Sequence, residues 1–229
     1  MFSCLNIVDA SNFTLDCDYS GSIVNKYQSS FSYCILLTEL PKLSKNNYSS
    51  FAYMFKGCTS LKRIPNNYLQ NSSKLYDNCY SHMFDGCTGL TTLPSGLLPA
   101  TTLASSCYNS MFYGCTSLTT IPNLPATTLA SSCYQYMFNG CTGLVETPGG
   151  WILKAQTTAT YSCYAMFYGC SKLQKIAVSY SGIITASHWS SFLYNVSKTG
   201  TFYYSKNQTK ENIKSIVPSG WTLVQSKEW

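Results

Sequence analysis

The sequence predicts an α/β repeat solenoid, and three observations lead there. The pentapeptide Met-Phe-x-Gly-Cys occurs five times, at Met54–Cys58, Met83–Cys87, Met111–Cys115, Met137–Cys141 and Met166–Cys170. The copies follow one another at steps of 29, 28, 26 and 29 residues. Each is followed by Thr or Ser and then, on constant spacing, by a leucine: Leu61, Leu90, Leu118, Leu144 and Leu173. Self-similarity at such a period marks units too small to bury a core alone, which share one by lying side by side.

The elements follow in chain order. Residues 1–29 show no clear copy and are expected to be an irregular or capping segment; the opening MFSCL is too faint a likeness to be assigned a unit. A degenerate copy begins at Ser30-Phe31, continues through Cys34, Leu37, Leu40 and Pro41, and has Tyr33 in the glycine place. It opens a repeat region of residues 30–178. Within a unit, Leu103, Cys107 and Met111 stand at i, i+4 and i+8, which predicts one face of a short helix. Pro99 suits its start and Gly114 a left-handed stop. A tight turn through Gly-Cys-Thr then leads to a short β-compatible stretch such as SLTTIP, ended by a proline that cannot continue a ladder. Ile64, Leu93, Ile121 and Ile176 fill its apolar place, with Thr147 in the fourth unit. Pro65, Pro94, Pro122 and Pro148 close the first four units, and Ala177 the fifth. Residues 179–229 show no repeat and read as a cap with two strands, around Ser197–Tyr204 and Gly220–Gln225. His188, Trp189 and Trp221 are its bulky anchors.

The unit Met-Phe-x-Gly-Cys-Thr-x-Leu-x-x-Ile-Pro resembles the BspA-type leucine-rich repeat, in which Phe-x-Gly-Cys-x-x-Leu leads into an Ile-rich strand ending in Pro. The Met-Phe form is similar to repeats of bacterial surface proteins of gut Bacteroidetes and mycoplasmas. The likeness covers residues 30–178, with units longer than the commonest form. It implies a right-handed stack with short parallel strands on one side and short helices on the other. It also implies adhesin-like recognition at a bacterial surface. The N-terminus shows no basic region, long apolar run or cleavage site of a signal peptide. That adds a second setting, a virion component of a phage, assembled inside the cell.

Composition narrows the function classes. The chain is 45% hydrophobic and only 10% charged, against about 25% charged in ordinary domains. Hydroxyl and amide side chains, including 19 Tyr, supply the polarity. This is not the composition of a disordered chain. The net charge of +6 is spread over scattered lysines, and the longest basic run is Lys62-Arg63, with Arg63 the only arginine. Nucleic-acid readers cluster basic residues and favour arginine, so nucleic acid is not the expected partner. No apolar run is long enough for a transmembrane helix.

The twelve cysteines form two columns and an N-terminal remainder of Cys4, Cys17 and Cys34. The columns are Cys58, Cys87, Cys115, Cys141, Cys170 and Cys79, Cys107, Cys133, Cys163. No close Cys pair of a zinc site occurs. Disulfides between units stay open on spacing. The favoured reading is a small buried hydrophobe repeated at an inward site. Cys79 and His82, at i and i+3, form no pair that the repeat requires. None of the nine acids recurs at a repeat position, and Asp16-Cys17-Asp18 lacks the rest of a calcium ligand pattern. The sequence therefore predicts no enzyme, cofactor or metal site.

Two surfaces are candidates for binding. Tyr80, Tyr108, Tyr134 and Tyr164 form a column after the cysteine, and Tyr113 and Tyr168 occupy the variable slot of Met-Phe-x-Gly. Rings at repeated intervals suit contact with sugar or protein; the alternative for the first column is packing between units. The strand face offers Lys62, Arg63, Thr91, Thr92, Thr119, Thr120, Val145, Glu146, Gln174 and Lys175, which differ between units. The expected function is non-enzymatic recognition of a protein or glycan on a cell surface, by a surface protein or a virion subunit. A structural part that braces a larger assembly is the alternative, and a hydrolase comes third.

Overall fold

The structure, a computed structural model, describes residues 6–15, 27–44, 50–70, 75–147, 152–156, 159–182 and 184–226. It is a small α/β protein with short parallel strands in two sheets and few helices. Strand β1 (Thr14–Leu15) pairs with β2 (Lys42–Leu43). The larger sheet has the order β3 (Lys175–Val178), β4 (Gly200–Tyr204), β5 (Trp221–Gln225), every pair parallel. Helix α1 (Ala186–Trp189) precedes β4, and α2 (Lys210–Lys214) lies between β4 and β5. Between the two sheets, parallel pairing shrinks to single bridges such as Arg63 with Thr92 and Glu146 with Lys175. The prolines that close the early units lack an amide donor, and they end each strand almost as it begins. One hydrophobic core runs continuously from Ala10 to Trp221.

The stretch expected to be helical in each repeat is not a helix. Every fourth residue there has a positive φ: Asn78 at +58°, His82 at +57° and Gly86 at +72°. Ser106, Ser110 and Gly114 repeat the pattern, as do Ser132, Tyr136 and Gly140, and Tyr161, Ala165 and Gly169. A left-handed residue at every fourth place prevents an α-helix. The backbone becomes a ribbon of linked turns whose amides alternate in direction. Met83 donates to the Tyr80 carbonyl three residues back at 3.2 Å, while Phe84 donates to Met111 of the next unit at 2.9 Å. Asp85 then donates to His82 at 3.2 Å, and Gly86 to Tyr113 of the next unit at 2.7 Å. A helix would spend these donors within itself; here alternate ones tie unit to unit.

The spacing itself carried the distinction. Leu103, Cys107, Met111 and Cys115 recur at steps of four. An α-helix overshoots a full turn by about 40° per step of four, so its face would drift by about 120° over three steps. A stripe that holds its place at a strict period of four belongs to a backbone that itself repeats every four residues. Glycine is kept at one of the three left-handed places. Those glycines lie at φ +66° to +72°, at the rim of the small left-handed basin. The non-glycine places in the same ribbons lie at +50° to +58°, inside it.

Side chains form columns across the units. Phe31, Phe55, Phe84, Phe112, Phe138 and Phe167 stack face to face at centroid distances of 5.5 to 5.7 Å. The tail joins the pattern. Ser191 and Asn195 have φ of +57° and +56°. Gly169 donates to the Tyr194 carbonyl at 2.8 Å, as Gly140 does to Tyr168 at 2.8 Å. Phe192-Leu193-Tyr194-Asn195 therefore takes the place of Met-Phe-x-Gly, with asparagine in the left-handed position, where it is the best-tolerated substitute. The backbone pattern thus runs on past residue 178, where the repeat in the sequence stops. The two strands expected there, around Ser197–Tyr204 and Gly220–Gln225, are β4 and β5. The N-terminal segment expected to be irregular contributes β1 and a parallel bridge from Asp9 to Glu39. MFSCL, Asp16, Cys17, Asp18 and Pro148 lie outside the described residues.

Candidate functional site

The cysteines of the two columns are structural. Cys58, Cys87, Cys115, Cys141 and Cys170 are fully buried. Each thiol donates to the carbonyl of the preceding unit's column phenylalanine, as Cys115 Sγ does to Phe84 O at 3.2 Å and Cys141 Sγ to Phe112 O at 3.1 Å. A cysteine fits because it is small, apolar and still a weak donor. Burial pushes the thiols of Cys58, Cys79, Cys133 and Cys170 up to about 12, which suppresses the reactive thiolate. The nine cysteines of the two columns are free. Cys34 is the exception among the described residues and is disulfide-bonded. No group of three or more His, Cys, Asp or Glu among the described residues is placed to hold a metal ion.

The tyrosine column is not a surface. Tyr80, Tyr108 and Tyr134 are buried. They continue a stack that starts at Tyr27 and Phe51, with centroids 5.7 to 6.0 Å apart. Flat rings at this spacing fill the gap between units, so the packing alternative is the one observed. Tyr164 does not belong to the column. Tyr134 donates to Ser162 O at 2.9 Å, whereas Tyr108 donates to Cys133 O at 3.1 Å. Ser162 thus stands in the cysteine place, Cys163 in the tyrosine place, and Tyr164 is displaced outward. The cause is the one residue missing between Cys163 and Cys170. Tyr164 instead meets Tyr136 and Tyr161 edge to face, at 5.3 and 5.5 Å.

The strand face is exposed, but much of it is already engaged. Lys62, Arg63, Thr91, Thr92, Thr119, Gln174 and Lys175 are exposed, and Thr120 is half-buried. Thr91 and Thr119 donate their hydroxyls to the carbonyls of Lys62 and Thr91 in the preceding units, at 3.3 and 2.9 Å. Thr120 Oγ1 accepts from the Leu93 amide at 3.1 Å. Arg63 pairs with Glu39 at 3.0 Å and Lys175 with Glu146 at 3.2 Å. These groups brace the ladder.

A different surface gathers the residues that vary most between units. The slot before glycine holds Lys56, Asp85, Tyr113, Asn139 and Tyr168 in successive units, and the left-handed slot four before glycine holds Tyr53, His82, Ser110, Tyr136 and Ala165. Eight residues from these slots and their neighbours line a shallow groove of about 560 Å³ across four units: Lys56, His82, Asp85, Asn109, Ser110, Tyr113, Tyr136 and Asn139. One end is charged. Asp85 Oδ2 accepts from Lys56 Nζ at 2.9 Å and lies 2.8 Å from His82 Nδ1, which carries the hydrogen because a carboxylate only accepts. Burial pushes the Asp85 carboxyl up, but the His82 and Lys56 hydrogen bonds outweigh it and hold it below its ordinary value. The hydrogen bond to Asp85 raises Lys56. The His82 ring stacks on Tyr53 at 4.6 Å. Its side chain is thus held by Asp85 and Tyr53, and the i, i+3 spacing to buried Cys79 makes no catalytic pair. The other end is neutral. Asn109 donates to Gln135 Oε1 at 3.2 Å and accepts from Ser110 Oγ at 2.9 Å. Tyr113 is 43% exposed, a solvent-facing ring in the groove.

Sequence reasoning named Tyr113 and weighed His82 only beside Cys79, but missed Lys56, Asp85, Asn109, Ser110, Tyr136 and Asn139. The signal was present as two slots that change in every unit while their flanks stay fixed. No helix among the described residues is long and apolar enough to cross a membrane. No family model, curated protein or solved structure matches the chain.

Proposed function

We propose that this chain is a non-enzymatic recognition protein that presents its groove to a glycan or protein on a cell surface. It does so as a right-handed, BspA-like leucine-rich-repeat solenoid, at home on a bacterial surface or in a virion. The observation that carries the reading is the origin of the groove. Its lining comes from slots that change between units, while the flanking Phe, Cys and Gly places hold the frame. A fixed frame with side chains that change from unit to unit is how a repeat protein acquires a specific surface without altering its core. The tyrosines and amides at the neutral end have the chemistry of recognition surfaces, large rigid rings beside adaptable hydrogen-bonding groups.

The test is binding of the labelled full chain to a panel of gut bacterial and host epithelial cells. Saturable binding, lost on prior unfolding, is expected. The captured ligand should keep its mass. Absence of saturable binding to every surface defeats the recognition reading, and a cleaved ligand defeats its non-enzymatic part. A second reading, a brace in a larger assembly, draws on β5, which is the edge strand of its sheet. It predicts stable multimers that a proline in β5 disperses.

A further inference from the structure

We propose that the groove between Lys56 and Asn139 is a subsite for a neutral pyranose, one ring of an uncharged oligosaccharide. The inference rests on the recognition reading for its biological sense, but on the groove alone for its chemistry. Both ends of the groove contribute. At the charged end, Lys56 and His82 both spend a donor on the same oxygen, Asp85 Oδ2. The cation is compensated inside the protein, so an anionic ligand gains little there and meets the repulsion of the neighbouring carboxylate. An ammonium has three donors and Asp85 occupies one; a carboxylate has two oxygens, and Lys56 and His82 both meet the same one. What the pair can still offer is donors and an acceptor side by side, which suits a sugar hydroxyl, itself both donor and acceptor.

The neutral end supplies the rest. Asn109 uses one amide hydrogen on Gln135, and a side-chain amide has two. Tyr113 is exposed and Tyr136 lines the same groove one unit on. Tyrosine rings accept the apolar C–H face of a pyranose while its hydroxyls reach the polar edge. Few polar groups around aromatic surface is the usual make-up of a small-ligand site. The volume of about 560 Å³ fits one or two rings. The groove is shallow and crosses four units, so a chain can run along it and a free monosaccharide gains little.

The experiment uses the full chain and NMR titration with neutral disaccharides (cellobiose, lactose, maltose, xylobiose) beside acidic ones (digalacturonate, sialyllactose). At least one neutral sugar is expected to shift the side-chain amides of Asn109 and Asn139. Tyr113→Ala is expected to weaken that sugar by about tenfold. Tyr194→Ala, an exposed ring outside the groove, is expected to leave it unchanged. Tighter binding of the acidic sugars overturns the neutral assignment. Cell binding that survives Tyr113→Ala, with no amide shift from any sugar, overturns the subsite while leaving recognition intact. Amide shifts by a sugar without binding to any cell support the subsite and defeat the cell-surface reading.

Discussion

The repeat units between Asn78 and Gly169 and the C-terminal stretch from Ala186 to Gln225 reverse the usual relation between sequence and structure. The first is highly regular in sequence and holds almost no regular secondary structure. The second shows little repetition in sequence, yet it carries both helices and two strands in five-residue parallel register. The repeats place their order between units, in alternate amides and in columns of Phe, Tyr and Cys. The tail places more of its order along strands, which need no recurring side chain. Where equivalent residues must touch their own copies, sequence repetition is enforced; where the backbone ladder suffices, it lapses.

The largest expected effect separates the two regions by pH. Among the described residues, the free cysteines all lie in the repeat region of residues 30–178. Thiols ordinarily titrate near 9.0, and burial raises Cys58, Cys79, Cys133 and Cys170 to about 12. A group with a raised folded value gives its full stability below the unfolded value and loses it as pH rises toward the folded one. The buried phenols of Tyr108 and Tyr134 are raised too and act in the same direction. Stability should therefore be steady from neutral pH up to pH 9 and fall steeply between pH 9 and about 12, with thiolate absorbance rising in step with loss of circular dichroism. Thiolate appearing well before unfolding would contradict the buried columns.

Next comes packing. Phe112→Ala removes a fully buried ring stacked on both sides and should cost about 3–5 kcal/mol in urea unfolding. Leu223→Ala, in the half-buried edge strand β5, should cost about 1–2 kcal/mol. Equal losses would mean that the column is no more demanding than the edge. Cys115→Ala deletes the thiol that donates to Phe84 O and should cost about 1–2 kcal/mol. The backbone test is finer. Asn195→Ala, at φ +56°, should cost about 1 kcal/mol, and Asn195→Gly should be nearly neutral. A stabilising alanine there would argue for a helix instead of linked turns. Last, Tyr113→Ala should change stability by less than about 0.5 kcal/mol, since its ring faces solvent.

Much of the frame was legible beforehand. The units, the leucine and phenylalanine places, the inward cysteines and both tail strands follow from residue type and spacing. The helix did not survive because i, i+4 spacing fits a period of four as well as one of 3.6 over two steps. Only the third step, from Met111 to Cys115, discriminates. The tyrosine column was misplaced as a candidate surface because an amphipathic ring gives no sign of its direction. Tyr164 was misassigned because one missing residue shifts the register. The groove escaped because Lys56, Asp85, Tyr113 and Asn139 are 26 to 29 residues apart, and only the frame brings them together.

The sequence by itself determined that equivalent residues must meet, because a constant small or aromatic side chain every 26 to 29 residues has no use except against its own copies. It also determined which places are free to vary. The tertiary structure alone decided how the chain turns and which varied residues share a surface. The physical reason is that left-handed turns and amides donated to the next unit are favourable only once that unit is present to accept them.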